Sequence, residues 1–144
     1  QVFMRYHFLS PLLTVDEEIQ KVQGLGARII LVDMHAEATS EKMAISWYLD
    51  GRVAAVVGTH THVQTADERV SAKGTACITD LGLTGPYDSI IGADKEQIMA
   101  RFLTQIGGKK VVAQNDPRLS GALITVDEST GKAVKIERVH RKVD

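Results

Sequence analysis

Residues 56–65 read Val56-Val57-Gly58-Thr59-His60-Thr61-His62-Val63-Gln64-Thr65, or VVGTHTHVQT. An apolar run that begins at Val53 ends here in two histidines separated by one hydroxylated residue, just past a glycine. The run decides the fold. Val53 to Val57 suits a short buried strand, and the glycine and polar residues after it stop that strand. In an extended backbone residues i and i+2 point to the same side, so His60 and His62 project together. Two neighbouring imidazoles suit a metal ion, although H-x-H also arises by chance in polar turns.

Working outward, Arg28 to Val32 (RIILV) is a second run suited to a buried strand, and it delivers the chain to Asp33-Met34-His35-Ala36-Glu37. Between the two runs the spacing predicts a helix from Thr39 or Ser40 to about Asp50. Glu41 lies at its positive end and Gly51 stops it. Upstream, Thr14-Val15-Asp16-Glu17 reads as a capping box opening a helix with Ile19 and Val22 on its apolar face, closed by Gly24 and Gly26. Downstream, Gly74 to Thr79 is a third strand. The loop DLGLTGPYDSIIG, residues 80–92, follows it, and its glycines and proline argue against regular structure. Asp94 caps a helix running to about Ile106, with Ile98, Met99, Phe102 and Leu103 as its buried stripe. The tail reads as a β-hairpin, with strands at Gly121 to Val126 and Ala133 to Val139 and a turn at Asp127 to Gly131. Strands alternate with helices and then pair, which predicts a mixed α/β fold with at least four strands and three helices.

The chain has 144 residues, 44% hydrophobic and 24% charged, enough for one core in one domain or part of one. Seventeen basic and 18 acidic side chains give a net charge of −1, which offers no electrostatic footprint for nucleic acid. Cys77 is the single cysteine, so no internal disulfide forms, in keeping with a cytoplasmic location. It reads as a buried strand residue. No apolar run reaches membrane-spanning length and no signal peptide is visible. The chain opens at Gln1 directly into QVFMRYHFL, which suggests a piece of a longer polypeptide.

His35 and His60 each follow a buried run, and one helix separates them. In α/β folds ligand sites gather at the carboxyl ends of such strands, so neighbouring strands would bring His35, His60 and His62 to one rim. Three imidazoles could form a single zinc site with an open position. They could instead belong to a two-metal site that polarises a phosphoryl oxygen. A two-metal site also needs oxygen donors, and Asp33, Glu37, Asp67 and Asp80 are candidates. Each has a structural reading: Asp33 and Asp80 as backbone acceptors at strand end and turn, Glu37 and Asp67 as solvated groups. The H-x-H-x-D-H pattern of metallo-β-lactamases fails at Val63-Gln64-Thr65, and the chain is too short for an amidohydrolase barrel.

The segments VDMHAEATSEK, YLDGRVAAVVGTHTHVQTAD and ITDLGLTGPYDSIIG together resemble the YmdB-type bacterial metallophosphoesterases of the calcineurin-like superfamily, from about Ile29 to the chain end. The resemblance implies a β-sandwich flanked by helices, of which this chain is the C-terminal half. It implies a centre of two divalent metal ions, iron or manganese, where His35 and His60 hold one ion and His62 the other. The implied reaction is hydrolysis of a small phosphodiester, a cyclic nucleotide, by a metal-activated hydroxide. The aspartate, asparagine and general-acid histidine motifs of the superfamily's N-terminal half do not occur here. His7 lacks the expected context for the acid, and His140, in the basic tail VHRKVD, reads as solvent-exposed. The loop Thr84 to Ile91 is either the pocket rim or a tight connection. A half-sandwich exposes strand edges and an apolar face, so a homo-oligomer is expected. The competing reading is a non-catalytic binding or scaffold domain with a vestigial histidine cluster.

Overall fold

The structure, a computed structural model, describes residues 9–143; His7 lies outside them. In chain order the elements are α1 (Pro11–Gly24), β1 (Leu31–His35), α2 (Thr39–Tyr48), β2 (Ala55–Thr59), β3 (Arg69–Val70), β4 (Ala76–Ile78), β5 (Gly85–Pro86), α3 (Lys95–Thr104), β6 (Pro117–Asp127) and β7 (Lys132–Lys142). The mixed α/β expectation holds. One sheet has the order β1-β2-β4-β3 and the other β5-β6-β7. In the first, β1, β2 and β4 run parallel and β3 antiparallel. Helix α2 makes the crossover that parallel neighbours require.

Alternation along β1 explains the layering. Val32 and Met34 pack inward with Ile19, Ile45, Leu49, Val53 and Val56, under α1 and α2. Leu31, Asp33 and His35 take the opposite, exposed face. On that face, but farther along the sheet, Ala55 and Ala76 meet Ala133, Ile124 and Ile136 of the β6–β7 hairpin. Two alanines without bulky side chains let the second sheet lie close. Helices therefore cover one side of the first sheet, and the hairpin covers the other side of β2 and β4. Fully burying a side chain such as Leu49, which has no exposed surface, contributes about 2 kcal/mol.

Several boundaries differ from the sequence expectation. Helix α1 begins at Pro11, so Thr14 lies inside it and its hydroxyl donates back to the Ser10 carbonyl at 3.1 Å instead of capping. Proline at the first turn starts the helix because its missing N–H would have no partner there. Strand β1 starts at Leu31 rather than Arg28 and runs through Asp33 to His35. Likewise β2 runs from Ala55 to Thr59, two residues later than the apolar run. Both are ladder strands whose pairing continues after the hydrophobic residues stop. Gly85 and Pro86, inside the loop read as irregular, pair with Arg118 and Pro117.

Asp94 does cap α3, its carboxylate accepting the Gln97 N–H at 2.9 Å, but the predicted stripe is not buried. Only Ile98 is; Met99, Phe102 and Leu103 are 49%, 70% and 79% exposed. Nothing among the described residues covers that face. The hairpin is longer than expected at both ends, and Cys77 is buried in β4 as anticipated. No helix among the described residues is long and apolar enough to cross a membrane.

Candidate metal centre

The parallel pairing of β1 and β2 sets His35 opposite Thr59 in register, one residue before His60. Both strands end at the same rim, so the histidines meet there. Their tautomers follow from their partners. Thr59 Oγ1 lies 2.8 Å from Asp33 Oδ1 and 3.0 Å from His35 Nδ1. A carboxylate only accepts, so the Thr59 hydroxyl donates to Asp33, and its oxygen accepts the Nδ1–H of His35. That leaves the lone pair of His35 on Nε2. Across the gap, His60 Nε2 lies 2.8 Å from Glu37 Oε2. It donates there, which leaves its lone pair on Nδ1. These two nitrogens face each other at 3.0 Å, with the rings edge-on at 78°.

In these tautomers two lone pairs converge, an arrangement that a proton or a metal cation between the nitrogens relieves. Both nitrogens can reach one ion at the about 2.0–2.1 Å that zinc–imidazole bonds take. A carboxylate on the outer nitrogen, direct for His60 and relayed through Thr59 for His35, is what metal-binding histidines ordinarily have. The donor set therefore fits a divalent ion. It is a pair only: among the described residues, no three His, Cys, Asp or Glu side chains are grouped to hold an ion.

His62 is held differently. Its Nδ1 donates to the Ile91 carbonyl at 2.9 Å, which leaves Nε2 open. It lines a cavity of about 650 Å³ with Leu83, Thr84, Pro86, Ile91 and Phe102, and with Arg101 and Lys110 as cationic members. Neither His35 nor His60 lines that cavity. The structure thus joins His35 to His60 and sets His62 in the lining of a largely apolar pocket that includes neither of them. The loop from Thr84 to Ile91 does form pocket wall. The backbone is unusual here: φ is 117° at His60, 65° at His62 and 48° at Ile91. Such conformations cost about 1–3 kcal/mol each and persist only where the surroundings impose them.

The four carboxylates divide. Asp33 and Glu37 orient the histidine pair. Asp67 accepts the Thr65 hydroxyl at 2.7 Å and the Thr79 N–H at 3.1 Å. Burial disfavours its charge, but these hydrogen bonds outweigh that and hold its carboxyl below the ordinary value. Asp80 is buried with Lys42, Nζ to Oδ2 2.8 Å. There too burial opposes the charge most strongly, and the Lys42, Gly82 and Thr61 donors overcome it, so its carboxyl is also lowered. Gln64, two residues beyond His62, donates its side-chain amide to the carbonyls of Leu81 (3.3 Å), Gly121 (2.9 Å) and Val139 (3.1 Å). The histidine turn is thereby tied to the hairpin.

His140 is exposed, as expected, yet it is not idle. Its Nδ1 lies 3.0 Å from Ser120 Oγ and its Nε2 lies 3.1 Å from Arg118 Nη1. Arginine can only donate, so Nε2 accepts and Nδ1 carries the hydrogen. His140 therefore cannot take a proton from Ser120, and this serine–histidine pair is a structural clasp. Two contributors escaped the sequence reading, Thr59 and Lys42, and the sequence reads the loop ending at Ile91 as pocket rim or tight connection without the hold of its carbonyl on His62. Thr59 had a signal in its position beside His60; Lys42 had none.

The family described as "YmdB-like protein" matches residues 1–139. A 2',3'-cyclic-nucleotide 2'-phosphodiesterase of Bacillus subtilis (strain 168) is 55% identical over 130 residues, covering 90% of this chain and 49% of that protein. Among solved structures, a hypothetical protein from Thermus thermophilus superposes with a TM-score of 0.89 at 40% identity, covering 99% of this chain and 54% of that one. A structure described as a novel phosphatase, from Mycoplasma pneumoniae, gives 0.86 at 36% identity, covering 96% and 49%. The chain spans about half the length of the curated relatives it matches, or somewhat less.

Proposed function

From the premise that the chain belongs to the YmdB-like protein family, we propose that it is the C-terminal part of a single-domain metallophosphoesterase that hydrolyses cyclic nucleotides. In this reading His35 Nε2 and His60 Nδ1 bind one divalent ion and His62 Nε2 a second, with iron or manganese as the metals. The observation that carries it is the pair of lone-pair nitrogens 3.0 Å apart, each ring fixed from behind by a carboxylate, Asp33 through Thr59 and Glu37 directly. Bound divalent ions supply positive charge that polarises a phosphoryl oxygen and activates water.

The chain's own residues supply orientation and a pocket. Thr59 and Glu37 keep the donor nitrogens aimed at one point, and the Ile91 carbonyl aims His62. The apolar wall of Leu83, Ile91 and Phe102 suits a nucleobase, and Arg101 with Lys110 favours an anion. The exposed α3 face makes a homo-oligomer the expected assembly.

The test is a manganese-supplemented diesterase assay with a cyclic nucleotide and with bis-p-nitrophenyl phosphate. It compares the full-length protein, its His60→Ala variant and the 144-residue chain alone. Disturbing the partner of a metal ligand commonly costs about 10–100-fold, so removing the ligand itself should cost at least about 100-fold. The isolated chain should show negligible turnover, because its histidines bring no anionic bridge between two cations. Robust turnover by the isolated chain, lost in its own His60→Ala variant, would overturn the half-site reading. The competing reading is a binding or scaffold domain. It requires that the full-length parent retain no metal and match His60→Ala in every assay.

A further inference from the structure

Lys42 and Asp80 form an ion pair with side chains 2% and 1% exposed. Buried pairs are weak stabilisers, because desolvation offsets most of their attraction. The location of this one suggests another role. Asp80 receives three donors: Lys42 Nζ at 2.8 Å and the Thr61 N–H at 3.0 Å on Oδ2, and the Gly82 N–H at 2.9 Å on Oδ1. Thr61 is the residue between His60 and His62, whose φ angles of 117° and 65° are both unfavourable. The histidine turn needs an outside restraint, and the Thr61 N–H is where one is applied.

The chemistry of each partner follows. Three converging donors need two acceptor oxygens, which a carboxylate offers and a neutral amide does not. A buried carboxylate needs a cation, and Lys42 reaches it from α2 across the back of the sheet. Its stem passes Gly58, where an added Cβ would stand 2.7 Å from Lys42 Cδ and 1.8 Å from the Thr79 carbonyl oxygen. A side chain at position 58 would close that path. We propose that Lys42 and Asp80 are positioning residues, which act through the Thr61 amide to hold His60 and His62 in their strained, ligand-presenting conformation. The catalytic meaning of the inference rests on the phosphodiesterase reading, but the restraint itself can be tested without it.

The experiment uses the full-length protein with Asp80→Asn, and with Lys42→Met/Asp80→Asn, which removes the stranded lysine charge and carries the test if the single variant does not fold. Histidine side-chain NMR spectra, manganese affinity, diesterase kcat and Tm are compared with the parent. Both variants should displace the His60 and His62 ring signals, leave His140 in place, and lower manganese affinity and kcat about 10–100-fold. In the parent, the Thr61 amide should exchange with solvent at least about 100-fold more slowly than an open turn amide. A folded double variant with parent-like histidine signals and manganese affinity, altered only in Tm, overturns the proposal. So does an unprotected Thr61 amide in the parent. If the parent proves to be no diesterase yet the ring signals move, the positioning role stands and the enzymatic reading fails.

Discussion

At the scale of single residues, a threonine hydroxyl decides what two histidines can do. Thr59 accepts from His35 Nδ1 and donates to Asp33, so it transmits the carboxylate's polarity to the ring and exposes the Nε2 lone pair. Thr59→Val keeps the shape and the β-branched strand preference but removes both hydrogen bonds. Manganese titration calorimetry on the full-length protein should show an affinity loss of about 10–100-fold. Stability should change by only about 1 kcal/mol, because these bonds are solvent-exposed. An unchanged affinity would show that Thr59 does not set the tautomer. The histidines themselves were legible in the sequence because H-x-H after an apolar run carries its own geometry. The relay was not, because a threonine in a strand has a sufficient reason to be there in its β-branching alone.

At the scale of elements, the turns that follow β2 and β4 are stitched together by carboxylates. Asp67 and Asp80 both titrate below the ordinary carboxylate value. A depressed folded-state value means that the contribution to stability is fully present above the unfolded value of about 4. It is lost as the pH falls through the lower folded value. Thermal unfolding followed from pH 7 downward should therefore show Tm falling below about pH 4, and Asp67→Asn should start from a lower Tm and lose part of that acid slope. A slope identical in parent and variant would rule out this linkage for Asp67. The existence of α1, β1, α2, β2, α3 and the hairpin was legible from periodicity and turn residues, whereas their limits often were not. Hydrophobicity records burial, and β1 is buried on one face only, so its polar residues looked like a loop although the ladder runs through them. The two-residue strands β3 and β5 are too short to carry any period. The α3 stripe misled for the opposite reason: Met99, Phe102 and Leu103 have the spacing of a buried face but lie open.

At the scale of the whole molecule, that open face is a candidate surface for association. Phe102, Leu103, Ile106 and Val112 are each at least 70% exposed, and clustered exposed apolar side chains favour association. The 144-residue chain should sediment as an oligomer at micromolar concentration, and Phe102→Glu/Leu103→Lys should shift it toward the monomer. Equal sedimentation of the two would locate the association elsewhere. The grip of Gln64 on Gly121 and Val139 reaches 57 and 75 residues along the chain, and this has a consequence for biosynthesis. Translation advances at about 5–20 residues per second, so the second anchor follows Gln64 from the ribosome by about 4–15 s. Until then the turn that carries both histidines lacks its tie to the hairpin.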